Sequence, residues 1–239
     1  MTAALQLIDV GRSFGGIRAL HKVSFDVPAG VIMGVIGPNG AGKTTLFNCI
    51  AGAMAPSYGR IVFEGYDIHG LPPHQICKRG LARTFQIVRP FRGMTVLDNV
   101  KVGAFTRHAS VRAAESCALG VLDLLGLRRI ADTDAESISI SDMRRMEIAR
   151  ALATEPRFLL LDEMLAGLTP IEAAEMCAQV RVLRSRGITI LMVEHSVPIV
   201  RSLCDEAVVL NFGELLVRGS VDQVFDDPVV QDAYLGSLA

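Results

Sequence analysis

The chain has 239 residues, half of them hydrophobic, with a mean hydropathy of +0.38. That length suits one large α/β domain, or a core with a small second lobe, and it can bury a sizeable core. The formal charge is −1, with lysines and arginines spread along the chain, which argues against a nucleic-acid partner. The best apolar run, residues 188–193, is far short of the ~18–20 residues a membrane span needs. The apolar excess therefore belongs in a parallel sheet covered on both faces, or on a partner surface. Five cysteines (Cys49, Cys77, Cys117, Cys177 and Cys204) lie far apart, with no pair at metal or redox spacing. The expectation is reduced thiols in a cytosolic protein. The first residues have neither a basic segment nor a long apolar one, so no signal peptide is expected.

In chain order, residues 5–36 alternate apolar and polar, with glycine breaks at 14–16 and 28–30. The pattern predicts an antiparallel opening and then a buried strand, VIMGVI. A helix is expected from about Lys43 to Ala51, closed by Gly52. Residues 59–68 suggest a hairpin turning at Glu64 and Gly65. From about Pro72 to Ala153 the pattern is mostly helical, with breaks at Pro90 and Gly93. FLLLD (158–162) has the character of a buried strand. Thr169, Pro170, Ile171 and Glu172 have the form of a capping box, whose helix should run to Arg186 and stop at Gly187. Residues 188–193 form the next expected strand and 207–219 the last hairpin. Strands alternating with helices imply an α/β fold with a mainly parallel core sheet. The helical middle, about 89–153, is expected as an inserted subdomain between core and β segments of about 1–88 and 154–239.

GPNGAGKTT (37–45) matches the phosphate-loop pattern, which fixes Gly37, Gly42, Lys43 and Thr44. A chance match in this length is on the order of one in a hundred at ordinary glycine usage. A strand before it and a helix after it complete the context. Gly37, Pro38, Asn39, Gly40, Gly42 and Thr45 would line the nucleotide, with the glycines letting backbone N–H groups approach phosphate oxygens at the positive end of the helix. Lys43 would reach the β- and γ-phosphates, and the Thr44 hydroxyl would ligate Mg²⁺.

FLLLDE places Asp162 and Glu163 at a strand end, where two adjacent carboxylates are costly unless used. Asp162 is the natural water-mediated partner of Mg²⁺, and Glu163 could polarise an attacking water. The next strand ends with Glu194 and His195. Ligands bind at the carboxyl ends of parallel strands, which puts His195 on the phosphate-loop edge of the sheet.

Together these pieces resemble the nucleotide-binding subunit of an ABC transporter, across nearly the whole chain. RTFQIVRPFRGMTVLDNV (83–100) looks like the family's glutamine loop, with Gln86 as the glutamine and a Mg²⁺ contact. Phe14 stands 29 residues before Lys43, where the family has an aromatic that stacks on adenine; a core phenylalanine fits the position equally. The same segment, AGLTP (166–170) and the terminal DPVVQDAYLG are similar to the branched-chain amino acid importers, whose relatives carry amides, urea or aromatic acids. The lipopolysaccharide-export ATPase also ends in Tyr-Leu-Gly but lacks the RTFQ form.

The resemblance implies ATP and Mg²⁺ as cofactors and a second ATPase subunit facing the first head to tail. It also implies transmembrane permease subunits seated on the 86–100 region, an indirect periplasmic or extracellular binding protein, and a peripheral position on the cytoplasmic face of the membrane. One segment departs from the family. The usual Leu-Ser-x-Gly-Gln signature is Ile138, Ser139, Ile140, Ser141 and Asp142 here, in a register set by RRMEIARAL (144–152). Ser141 adds a Cβ where a glycine allows close approach. Asp142 stabilises the helix N-terminus but places negative charge where the partner's γ-phosphate would arrive. Met164 stands where the family usually has proline, which should matter less. Because this signature serves the opposite site, a pair of unlike subunits would have one ordinary and one altered site. A low-turnover regulatory subunit is the alternative.

Overall fold

The computed structural model describes residues 3–85 and 89–235. The N-terminal alternation folds into two long antiparallel strands, β1 (Ala3–Phe14) and β2 (Ile17–Pro28). β3 (Ile32–Ile36) is buried at every position and leads into α1 (Lys43–Ile50). Ala51 caps α1, and Gly52 follows at φ +72°, where the sequence places the stop. β4 (Tyr58–Phe63) and β5 (Tyr66–Asp67) form the expected hairpin, with Glu64 and Gly65 both at positive φ. The first sheet runs β2-β1-β4-β5.

After α2 (Pro73–Lys78) the chain departs from its helical expectation. Gly80, at φ +100°, turns it into β6 (Leu81–Arg83), which pairs in parallel with β7 (Phe158–Asp162). Two apolar residues are too short a run to show a strand in sequence; the partner strand supplies the preference. The helical stretch resumes as α3 (Val96–Ala104), α4 (Val111–Leu124), a 3₁₀ turn at Arg128–Ile130, and α5 (Ile140–Leu152). Thr95, Ser110 and Ser139 cap the three α-helices by accepting a backbone N–H three residues on.

β7 is followed by α6 (Pro170–Ser185), where Thr169 and Glu172 form the capping box. Then come β8 (Thr189–Val193), α7 (Val197–Leu203), β9 (Glu206–Asn211), β10 (Glu214–Ser220), α8 (Val221–Asp226) and α9 (Pro228–Leu235). The second sheet runs β10-β9-β3-β8-β7-β6, parallel throughout except for β10.

Period-two alternation along β7 divides the interior. Leu159 and Leu161 join the side chains of α3, α4, α5 and α6, while Phe158 and Leu160 join α1 and the first sheet. The parallel strands are thus covered on both faces, which absorbs much of the apolar excess in the composition.

Candidate nucleotide site

The loop between β3 and α1 has a conformation that side chains would obstruct. Gly37 sits at φ +147°, and a Cβ there would lie 2.1 Å from the Leu210 carbonyl oxygen. Gly42 sits at φ +101°, with the Ala19 carbonyl oxygen 2.5 Å from its would-be Cβ. Gly42 also caps α1 without a side chain, and no acidic residue occupies the first turn. The first amides of α1 therefore have no intrahelical acceptor and no side-chain cap. Lys43 is buried, and its Nζ donates to the carbonyls of Gly37 (2.6 Å) and Pro38 (2.9 Å). Burial lowers its pKa, against the opposing pull of the Glu163 and Asp162 carboxylates. Gly37→Ala should cost about 1–3 kcal/mol in backbone strain alone, read as a lower unfolding midpoint with weakened ATP binding.

Across the site, β7 ends at Asp162, and Glu163 turns into the left-handed region at φ +47° while its N–H donates to Val193 O at 3.1 Å. This bend separates the two carboxylates. Glu163 meets His195 with Oε1 2.8 Å from Nε2. Both line a cavity of about 190 Å³ together with Asn39, Gly40, Gly42, Lys43, Thr44 and Thr45. Two strand ends and the phosphate loop thus converge on one pocket, as the parallel topology requires.

Asp162 turns inward instead. It is 3% exposed, and its Oδ2 pairs with Arg83 Nη2 at 2.8 Å. Arg83 also donates to Asn48 Oδ1 at 2.6 Å and lies over the rings of Phe47 and Phe85. The Asp162 N–H donates to Thr84 Oγ1 at 3.2 Å. Arg83 opens the RTFQ segment, but the sequence assigns it no role of its own. Glu194 is a second buried carboxylate, 5% exposed and pushed up to about 7 chiefly by burial, with Oε1 accepting the Leu165 N–H at 3.3 Å.

Uncapped amides at a helix start, a buried lysine and the Thr44 hydroxyl fit triphosphate oxygens with Mg²⁺, a cation that takes oxygen donors, whereas Asp162, paired with Arg83 and outside the pocket lining, would reach that ion only through water. Gln86 lies outside the described residues. Phe14 is 42% exposed beneath the Arg12 guanidinium, 4.9 Å from its ring centre, and does not line the pocket.

The altered signature is arranged differently from its expectation. Ser139 caps α5, its Oγ accepting the Asp142 N–H at 3.0 Å. Ser141 and Asp142 are buried, while Ser139 and Ile140 stand at the exposed tip, Ile140 at 66%. The Asp142 carboxylate lies 3.3 Å from Arg129 and 3.9 Å from Arg145, and Arg145 pairs onward with Glu175 at 2.5 Å. The repulsion expected from Asp142 is therefore reduced, because two guanidiniums face the charge before any phosphate does.

A second cavity of about 370 Å³ is lined among others by Phe85, Phe91, Asn99, Val102, Glu147 and Arg150. It is larger than the phosphate pocket and separate from it. Phe85, Phe91 and Val102 are exposed apolar residues around it. Glu147, 4% exposed, pairs with Arg150 at 2.9 Å, yet burial still pushes its carboxyl pKa up.

A family profile described as ABC transporter matches residues 20–166, more than half of the chain. The chain belongs to the ABC transporter family. Among its ABC relatives is the high-affinity branched-chain amino acid transport ATP-binding protein BraF of Pseudomonas aeruginosa, 39% identical over 97% of each chain. The lipopolysaccharide export system ATP-binding protein LptB of Acidithiobacillus ferridurans is 38% identical over 99% of this chain and 98% of its own. The ADP conformation of MJ1267, an ATP-binding cassette of an ABC transporter, superposes with a TM-score of 0.90 at 32% identity, covering 99% of this chain and all of the other. The fold is accordingly that of the ATP-binding cassettes, the ATP-hydrolysing subunits of these transporters. Among the described residues, no helix is long and apolar enough to cross a membrane.

Proposed function

We propose that this chain binds Mg²⁺-ATP and hydrolyses it to power an importer of branched-chain amino acids or related small polar solutes. The observation that carries this reading is the meeting of Glu163 and His195 at 2.8 Å opposite the uncapped start of α1. Lys43 exchanges its loop carbonyls for β- and γ-phosphate oxygens. Glu163 holds the attacking water and takes its proton, and His195 fixes the Glu163 carboxylate and contacts the γ-phosphate. The Thr44 hydroxyl, Gln86 and, through water, the Asp162 carboxylate would hold Mg²⁺, which would supply charge neutralisation for the phosphates. Phe14 stacks on adenine once nucleotide is present.

Two ATPase subunits face each other, so that Ser139, Ser141 and Asp142 address ATP held by the partner. Transmembrane permease subunits seat a short helix in the apolar cavity beside residues 86–100, and a periplasmic or extracellular binding protein acts through them. The helical segment, about 89–153, moves as one subdomain against the core when the pair closes. The protein works on the cytoplasmic face of the membrane. A partner subunit with an ordinary signature gives a heterodimer of one ordinary and one altered site.

The departures at Ser141 and Asp142 favour one further reading, a subunit that binds ATP but turns it over little. Reverting Ser141→Gly with Asp142→Gln separates the two. Steady-state phosphate release by the isolated chain should rise about tenfold or more, the scale of a ≥1.4 kcal/mol gain at the barrier. An unchanged rate favours the low-turnover reading. The likeness to LptB keeps lipopolysaccharide export as the alternative cargo. Transport assays with branched-chain amino acids decide between them.

A further inference from the structure

Outside the nucleotide pocket, three residues remote in sequence bring three kinds of metal donor together. His108 follows α3, Cys117 lies midway along α4, and Glu155 lies between α5 and β7. The His108 imidazole, the Cys117 thiol and the Glu155 carboxylate each offer one ligand atom, all within 4.8 Å of one another. His108 Nε2 stands 2.9 Å from Glu155 Oε1, with side chains 28% and 54% exposed. The thiol is partly buried, with Sγ 3.9 Å from the Ala153 carbonyl. Glu155 adopts a left-handed backbone at φ +52°, its N–H bonded to Leu152 O at 2.8 Å, so the turn that ends α5 sets where its carboxylate sits.

We propose that His108, Cys117 and Glu155 form a binding site for a divalent transition-metal ion of the Zn²⁺ class. Nitrogen, sulfur and oxygen donors in one set suit a borderline-soft cation, whereas Mg²⁺ and Ca²⁺ take oxygens. Around tetrahedral Zn²⁺, bonds of about 2.0–2.3 Å put neighbouring donors roughly 3.3–3.8 Å apart. The cluster needs only to draw its widest separation in by about 1 Å and let the His108–Glu155 contact open slightly. Binding forms a metal–sulfur bond and releases the thiol proton to solvent. Three protein ligands leave the fourth position to water, reachable past the exposed Glu155.

A simpler arrangement would be an exposed His–Glu pair beside a core-filling cysteine. An exposed pair of this kind contributes little, and it requires no third donor within reach of both partners. With metal in place, the site ties α4 and the end of α3 to the segment entering β7. Thr106 and Thr154, neighbours of His108 and Glu155, line the larger cavity, so the ion would stiffen one wall of that groove.

Titration of the metal-free full chain with Co²⁺ tests this. A thiolate-to-metal charge-transfer band should appear, saturate at a single bound ion, and be displaced by Zn²⁺. Cys117→Ser should abolish the band, and His108→Gln and Glu155→Gln should each weaken binding tenfold or more. Each variant should keep its unfolding transition in chelator, which shows that the loss is local. In the unaltered chain, Zn²⁺ should slow alkylation of Cys117, located by mass spectrometry, more than that of the other four cysteines. A band that survives Cys117→Ser, or equal alkylation of Cys117 with and without Zn²⁺, overturns the proposal.

Discussion

Glu163→Gln should leave Mg²⁺-ATP binding within a few-fold of the original while phosphate release falls by about 10²–10⁴, the usual weight of a general base. The glutamine amide has the size of the carboxylate it replaces and can still bond to His195, which lies 2.8 Å away in the original. It cannot take a proton. The left-handed turn at residue 163 and the N–H bond to Val193 belong to the backbone, so the pocket keeps its shape. His195→Ala should also lower turnover with ATP binding retained, because Glu163 loses the group that fixes it. Nucleotide binding and single-turnover phosphate release, measured side by side, separate this from a defect in binding. Parallel losses of affinity and rate would place Glu163 in the cradle rather than in the chemistry.

Arg83→Met should be the most destabilising single change near the site. Asp162 is 3% exposed, and Arg83 is its ion-pair partner among the described residues. Removing one side of a buried pair leaves the other charge uncompensated, at a cost of about 3–5 kcal/mol. In a chain of this size that corresponds to a fall of about 6–20 °C in unfolding midpoint. Asn48 loses its donor as well, which adds to the loss. The double change Arg83→Met with Asp162→Asn removes both charges and should recover much of the stability. Chemical denaturation of the two singles and the double measures the coupling. A coupling near zero would mean that water, not Arg83, satisfies Asp162.

Contiguity decides how much of this was legible in the sequence. The phosphate loop is one run of nine residues, and its glycines, lysine and threonine carry their chemistry locally. Glu163 and His195 are 32 residues apart, yet both end apolar strands, and parallel strands bring such ends together. Capping and hairpin turns were likewise readable, because each depends on a few adjacent residues. What escaped depends on partners distant in the chain. β6 is a strand because β7 lies beside it. Arg83 finds Asp162 from 79 residues away, and that contact turns the expected metal ligand inward. Asp142 in the sequence is a bare charge at a helix start, while in the fold Arg129 and Arg145 stand against it. The His108–Cys117–Glu155 cluster has no spacing signature at all, since three separate elements deliver its donors.

We propose that this chain carries the residues needed to act on its own ATP, and that its departure lies in what it presents to its partner's ATP. The direct measurement is ATP turnover by the assembled pair of unlike subunits, first with Glu163→Gln in this chain and then with the corresponding glutamate changed in the partner. Near-complete loss is expected from Glu163→Gln, because the proposed site joins this chain's catalytic set to an ordinary signature, and a much smaller loss from the partner's change. Equal losses from the two would contradict it.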